Sequence, residues 1–250
     1  MIKKPKIFIE HDISNKPVSY AWNDNIEYHL LEERNPRLML QLLKLNFKTV
    51  MGFATAAAEW ITWRLEDHRQ IASQKDMNEE KSFIEAQYIG LIDKHYLRNF
   101  YQREEYLASD TIEGPIWKLL RFSFFSRDWY IRTRFGLHHR ACNLIMLARH
   151  VTEQNELFDH WLADCLGRAI PLFPNKSVDR KNEPIDGYDS SQDAFIPREF
   201  FFDMAFDYTN ANLLEIQQNM LKQVDHTKSQ YLYEPKDMIQ KGFIGTPYQL

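Results

Sequence analysis

The segment from Asn35 to Arg69 constrains the fold more than any other part of this 250-residue chain. Asn35 and Pro36 together are typical of a helix start, with asparagine as the N-cap and proline at the first helical position. After them, apolar residues recur at steps of three and four, at positions 39, 43, 47, 50, 54, 57, 61 and 65. A second apolar face comprises Leu38, Leu42 and Leu45. A helix that is apolar on more than one face is usually central, so we expect one long central helix here.

Four other segments show helical spacing of their apolar residues. They run from about 78 to 107, from 114 to about 130, from 137 to about 166, and from 197 to 224. Polar residues around Asn155 interrupt the third of these segments, which leaves open two helices joined by a short break. Gly167 and then Pro171 are in the order expected at the end of a helix.

These segments predict an all-α fold, a single-domain bundle of five to six helices that spans residues 1–250. Eight glycines and ten prolines are too few for an all-β chain full of tight turns. Residues 1–34 are expected to be irregular, with a short strand at Ile7-Phe8-Ile9. The core is expected over 35–226, with a long loop at 172–197 and a C-terminal strap at 227–250 that carries a β-like run from Gln230 to Tyr233.

Charge and cysteine content exclude several classes of protein. The formal net charge is −4, which argues against a duplex-DNA binder, because such domains are usually strongly basic. Cys142 and Cys165 are too few for a disulfide scaffold and are expected to be buried thiols. No apolar leader follows the basic N-terminus, and no stretch reaches the length of a membrane span. We therefore expect a cytoplasmic protein that contacts no membrane.

The chain lacks the common catalytic motifs. It contains no glycine-rich phosphate loop, CxxC pair, HExxH or GxSxG sequence. It also lacks the Glu-x-x-His element of di-iron bundles, although Glu59 and the region from His150 to His160 leave a carboxylate–histidine metal site open. Two aspartates four apart, Asp203 and Asp207, have no second acidic motif to hold magnesium with them. We expect no cofactor, no metal and no catalysis.

A basic and aromatic segment extends from Lys118 to Arg140, with six Lys or Arg residues against the single acid Asp128. Arginine with aromatic side chains is the composition of protein interfaces and of grooves for single-stranded RNA. A third interpretation places the aromatic residues in the core, with the arginines bridging to acids on neighbouring helices. The candidate partner-binding residues of this segment are Arg127, Trp129, Arg132 and Arg134.

The spacing from Arg134 to His139 resembles the short Arg-x-x-x-x-His motif of HEPN ribonucleases, which are also helical bundles. The resemblance covers six residues and implies that Arg134 would stabilise phosphate charge while His139 acts as acid or base. Phe135 replaces the polar residue that often follows the arginine, and Gly136 is unfavourable inside a helix. An enzyme directed at phosphate groups, using Arg134, His138 and His139, is the alternative function.

An acidic block follows later in the chain. Between Glu183 and Glu215 there are eight acids and only one base, Arg198. Charged surfaces raise the rate and the selectivity of association, so this block suits a partner with a basic site. Its candidate contact residues are Asp186, Tyr188, Asp189, Asp193 and Phe195. The leading expectation is a non-catalytic, protein-binding module, most concretely an immunity or inhibitor protein that neutralises a toxin or another enzyme. We do not expect nucleic acid as the partner.

Overall fold

The computed structural model describes residues 2–23, 36–98, 110–133, 136–153, 155–177 and 188–250. The described chain is mostly helical and contains no strand, which confirms the all-α prediction. Within those ranges no helix combines the length and apolar character needed to cross a membrane. The α-helices are α1 (Lys6–Glu10), α2 (Pro36–Leu42), α3 (Phe47–Ser73), α4 (Asn78–Ile92), α5 (Glu113–Ile131), α6 (Leu137–Thr152), α7 (Asn155–Leu172), α8 (Glu199–Phe202), α9 (Leu213–Gln223) and α10 (Pro235–Gln240).

Helix α3 is the central element, as its sequence predicts. Its 27 residues make it about 40 Å long, and every residue from Phe47 to Leu65 is buried. It packs against α4, α5 and α6, and α5 also packs against α6. The hydrophobic core that surrounds α3 includes residues from Phe8 near the N-terminus to Met238 in α10.

The prediction of one unbroken helix from Asn35 to Arg69 is wrong. Helix α2 ends at Leu42, and Asn46 caps a new helix by accepting the Thr49 N–H at 2.8 Å. The intervening main chain is engaged elsewhere, because Leu45 forms an isolated antiparallel bridge with Pro174. Tertiary pairing with the residues after α7 therefore replaces one turn of helix.

The second predicted helix is shorter than expected, because α4 ends at Ile92. The Asp93 carboxylate accepts the N–H of His95 at 2.8 Å and caps a 3₁₀ helix over Lys94–Tyr96. Leu97 then forms an antiparallel bridge with Leu232 of the tail. The β-like run from Gln230 to Tyr233 thus makes one bridge and no strand. The rest of the predicted helix, from 99 to 107, lies outside the described residues.

The break near Asn155 is confirmed, since α6 ends at Thr152 and α7 begins at Asn155. The predicted end at Gly167 and Pro171 is wrong, because α7 continues through both to Leu172. Pro171 lies in the last turn, where its missing N–H costs a single helical hydrogen bond.

The last predicted helix, from 197 to 224, is also interrupted. The carboxylates of Asp203 and Asp207 accept N–H groups two residues ahead, at 3.0 Å from Ala205 and 3.0 Å from Thr209. Such Asx turns compete with helical hydrogen bonds, and they separate α8 from α9.

At the other end of the chain, Ile7-Phe8-Ile9 is part of helix α1 and is not the expected strand.

Candidate functional site

The residues after the undescribed stretch 178–187 pack against the N-terminal end of α3. Asp193 lies at the centre of this contact and is 9% exposed. Its carboxylate accepts the Lys48 main-chain N–H at 3.3 Å and a short hydrogen bond from the Tyr188 hydroxyl. Burial raises the pKa of Asp193 above its usual value. These contacts make Asp193 an internal anchor of the loop.

Lys48 is buried beside this anchor. Its ammonium donates to the main-chain oxygen of Ser191 at 3.2 Å, and burial lowers its pKa. Phe195 is buried as well, and its main-chain oxygen accepts the Tyr208 hydroxyl at 2.8 Å. Two of the predicted partner contacts, Asp193 and Phe195, therefore hold the loop on the core, and little of either side chain is left for a partner.

The outer part of the loop is more accessible. The Asp189 side chain is 51% exposed and lies 3.6 Å from the Lys94 ammonium. Hydrogen bonds from the Ser191 hydroxyl and N–H lower the pKa of Asp189. Tyr188 is half-buried, with its ring 5.9 Å from that of Phe47. Asp186 lies outside the described residues.

The basic and aromatic segment contributes to the core at Arg127. This guanidinium is fully buried, and it lies 4.9 Å from the Phe83 ring and 5.0 Å from the Phe124 ring. Burial lowers the pKa of Arg127 to about 10. Cation–π contact of this kind partly offsets the cost of removing the charge from water, so Arg127 serves packing.

Half-buried arginines of the same segment lie over half-buried aromatic rings on the sides of α5 and α6. Arg121 lies 5.0 Å from the Trp117 ring and 5.9 Å from the Phe125 ring. Arg140 lies 5.0 Å from Phe125 and 5.8 Å from Trp129. Stacking of arginines on aromatic rings is therefore a feature of the described part of this segment.

The basic segment and the acidic loop meet at the end of α5. The Thr133 hydroxyl lies 3.1 Å from that of Ser190, and Lys94 lies 3.4 Å from the Thr133 hydroxyl. The exposed Arg132 pairs with Asp128 of its own helix at 2.9 Å. Hydroxyl groups and a lysine therefore join the two segments. Arg134 lies outside the described residues.

Of the residues in the catalytic alternative, the structure describes the two histidines. His138 is fully buried with its ring 5.5 Å from Phe47, whereas His139 is exposed. The two side chains therefore occupy different environments, and the position of Arg134 is outside the described ranges. No group of three or more His, Cys, Asp or Glu side chains in the described part of the chain could hold a metal ion.

Glu59, which sequence analysis singled out, is at the centre of a buried polar cluster. Its carboxylate accepts the Trp63 indole N–H at 2.8 Å and the Tyr88 hydroxyl at 3.0 Å. Arg198 Nε lies 3.1 and 3.0 Å from the two carboxylate oxygens, and its terminal nitrogen also donates to the Lys3 main-chain oxygen at 2.6 Å. All of this acceptor capacity is used inside the fold, so the cluster joins α3, α4 and the N-terminal residues.

The acids that follow Arg198 are exposed, in contrast to Asp193. We call residues 199–215 the acidic segment. Its four carboxylates are exposed, and none forms an ion pair with another described residue: Glu199, Asp203, Asp207 and Glu215. Exposed apolar side chains accompany them, with Met204 47% and Leu214 55% exposed. These acids are visible in the sequence but are not among the predicted contact residues. Their exposure distinguishes them from Asp193, and exposure cannot be read from the sequence.

A cavity of about 520 Å³ lies between α9 and the C-terminal residues. It is lined by Gln218, Leu221, Lys222, Tyr248, Gln249 and Leu250. No predicted site residue lines it.

The sequence matches no protein-family model, and comparison with curated proteins and with solved structures finds no similar chain.

Proposed function

We propose that this chain is a non-catalytic, protein-binding module that contacts a basic partner through the acidic segment 199–215. The observation that carries the proposal is the set of four exposed carboxylates that form no ion pair with another described residue, whereas the neighbouring cations Arg198 and Arg168 are paired with Glu59 and Asp164. In its most concrete form, the module is an inhibitor or immunity protein that occupies the basic site of a toxin or another enzyme.

The composition of the acidic segment suits recognition of a protein. Exposed charges of one sign attract an oppositely charged surface over several ångströms and raise the association rate. Charge alone gives little affinity, whereas apolar side chains that become buried on binding supply more of it. Met204 and Leu214 offer such side chains within the same segment.

The acidic segment is also held in one conformation. Asp207 accepts the N–H groups of Thr209 and Asn210 and the Asn210 side-chain amide at 2.7 Å. Asn212 caps α9 by accepting the Glu215 N–H at 3.2 Å. A surface that is ordered before binding loses less conformational entropy in the complex.

We also propose further contact residues, a fold and a cellular location for this protein. Tyr188, Asp189, Trp129 and Arg132 stay proposed as further contact residues, as do Asp186 and Arg134, which lie outside the described residues. We propose that the fold is a single-domain bundle of five to six helices with a C-terminal strap. The proposed location of the protein is the cytoplasm. The catalytic alternative that uses Arg134 and His139 stays a prediction.

Affinity capture from the native cells at low salt tests the proposal. The tagged wild-type chain should retain one protein in stoichiometric amount, and adding the tagged chain should inhibit the activity of that protein. The variant Asp203→Asn/Asp207→Asn/Glu215→Gln should lose at least about 90% of the captured protein, because three of its attractive charges are gone. Asparagine still accepts the hydrogen bonds of both Asx turns, so the segment keeps its shape.

A matched variant controls for the change in net charge. Glu10→Gln/Glu156→Gln/Glu234→Gln removes three exposed carboxylates elsewhere and should capture as much partner as the wild type. Equal capture by the wild type and the acidic-segment variant contradicts the proposal. Recovery of RNA that is lost with His139→Ala would favour the ribonuclease instead.

A further inference from the structure

A strip of exposed apolar side chains crosses the surface where α2 meets the end of α7. Leu40 is 60% exposed, Leu43 41%, Leu172 38% and Met204 47%. Hydrogen bonds of neighbouring residues hold the segments that carry these side chains next to each other. The Asn175 amide donates to the Leu43 main-chain oxygen at 2.9 Å, which holds the residues after Leu172 beside α2.

The other end of the strip is joined through α7. Arg168 precedes Leu172 by one helical turn and therefore shares its face of the helix. The Arg168 guanidinium lies 3.9 Å from the Met204 sulfur and donates to the Phe200 main-chain oxygen at 2.8 Å. Its charge is matched by Asp164 at 2.7 Å, so the middle of the strip has no net charge. The strip consists of Leu40, Leu43, Leu172 and Met204.

The two ends of the strip carry opposite charge. At the α2 end three exposed cations form no ion pair with another described residue: Arg37, Lys44 and Lys176. At the Met204 end the exposed acids are Asp203 and Asp207, which are likewise without an ion pair among the described residues. As far as the described residues go, the surface is therefore basic at one end, apolar in the middle and acidic at the other end.

We propose that this strip binds the same strip of a second copy of the chain. A two-fold symmetric contact joins one surface patch to itself, so the patch must be complementary to its own rotated image. Rotation about an axis near Leu172 places the basic end of one copy on the acidic end of the other. The same rotation stacks the apolar middle on itself and removes it from water, which supplies the affinity.

The dimer goes beyond the proposed function and connects to it. Asp203 and Asp207 belong both to the strip and to the acidic segment, so a basic partner and the second copy compete for these carboxylates. The dimer is the state of the free chain, and binding of the partner releases monomers.

Sedimentation velocity of the full chain, from nanomolar to high micromolar concentration, tests the dimer. We expect a concentration-dependent species of twice the 30.0 kDa monomer mass. Leu43→Asp/Leu172→Asp should raise the dimer dissociation constant by about 100-fold or more, because it would bury unpaired charge at the centre of the contact. Ile71→Asp, at a site that is 82% exposed on α3, is the matched control and should leave the dimer unchanged.

A second set of variants tests the orientation. Arg37→Glu/Lys44→Glu places carboxylates opposite Asp203 and Asp207 and should raise the dissociation constant about tenfold. Adding Asp203→Asn to Arg37→Glu/Lys44→Glu removes one of the repelling carboxylates and should recover part of the dimer affinity. Each variant is first shown to unfold cooperatively.

Three results would overturn the dimer: a monomer at every concentration, a dimer indifferent to Leu43→Asp/Leu172→Asp, or a dimer indifferent to charge reversal. Leu43→Asp/Leu172→Asp retains every acid of the acidic segment. Its capture of the basic partner therefore reports on the proposed function separately from the dimer.

Discussion

The ion pair between Glu59 and Arg198 shows what a single residue contributes to this molecule. Glu59 is fully buried, and Arg198, which follows it by 139 positions in the sequence, pairs with it and also donates to the Lys3 main-chain oxygen. The isolated carboxylate in an apolar helix is visible in the sequence, but its partner is not. In the sequence, Arg198 is a single base in an acidic stretch. Only the folded chain places it next to Glu59 of α3.

We expect Arg198→Met to lower the free energy of unfolding by about 3–5 kcal/mol, because it leaves a buried carboxylate without its counter-charge. The double variant Glu59→Leu/Arg198→Met should lose less, since no unpaired charge remains. Urea unfolding of the wild type, Arg198→Met, Glu59→Leu and the double variant gives the coupling free energy. The control is Arg132→Met, which breaks an exposed pair and should cost about 0–1 kcal/mol. Equal losses for Arg132→Met and Arg198→Met would contradict this account of Glu59.

Glu153 makes a second residue-scale prediction, on pH dependence. Partial burial acts to raise the pKa of its carboxyl, but hydrogen bonds from Ser19 and Tyr20 and the charge of Arg64 outweigh burial and lower it below 4.5. The Ser19 and Tyr20 main-chain N–H groups each lie 2.6 Å from one carboxylate oxygen. A carboxyl with a depressed folded-state pKa contributes stability above its unfolded pKa and loses it as the pH falls.

The stability lost on Glu153→Gln should therefore be largest near neutral pH. It should shrink as the pH falls below 4.5 and through the folded-state pKa. Thermal unfolding of both proteins between neutral pH and about pH 3 measures this difference. A difference that stays constant over that range would show that the Glu153 carboxylate contributes nothing through its charge.

At the scale of elements, apolar spacing predicted α3, α5, α6 and α7 and the break between the last two. It missed the breaks at 43–46, 93–98 and 203–212, because each depends on contacts that spacing does not reveal. Asn46 and Asp93 act as caps, and the neighbouring main chain pairs with Pro174 and Leu232. Charge alone identified the acidic block from 183 to 215. It did not reveal that Asp193 and Phe195 are buried by packing of the loop against α3 while the acids of the acidic segment are exposed.

The break before α3 gives a prediction at this scale. Asn46→Ala removes the acceptor of the Thr49 N–H and should lower the free energy of unfolding by about 1 kcal/mol. Asn219→Ala, at an exposed position inside α9, should stay within about 0.5 kcal/mol of the wild type. Chemical denaturation compares the two. Equal effects of the two substitutions would mean that the cap does not define the start of α3.

At the scale of the whole molecule, charge is distributed unevenly over the surface. Most described charges in the interior are matched by a partner or by aromatic rings, as at Glu59 and Arg127. The exposed acids from Glu199 to Glu215 form no ion pair with another described residue, and the same holds for the exposed cations around α2. The acidic segment is the proposed binding surface for a basic partner. The strip that joins this segment to α2 is the proposed binding surface for a second copy of the chain. We therefore propose that the molecule uses one acidic surface in two assemblies.

The most direct measurement of the central claim is the association rate of the captured partner with this chain, followed by stopped-flow fluorescence over a range of salt concentrations. The account predicts a rate that falls steeply with salt for the wild type, because opposite charges steer the encounter. For Asp203→Asn/Asp207→Asn/Glu215→Gln it predicts a slower rate at low salt and a flatter salt dependence. Identical rates and slopes for the two proteins would contradict the acidic segment as the binding surface.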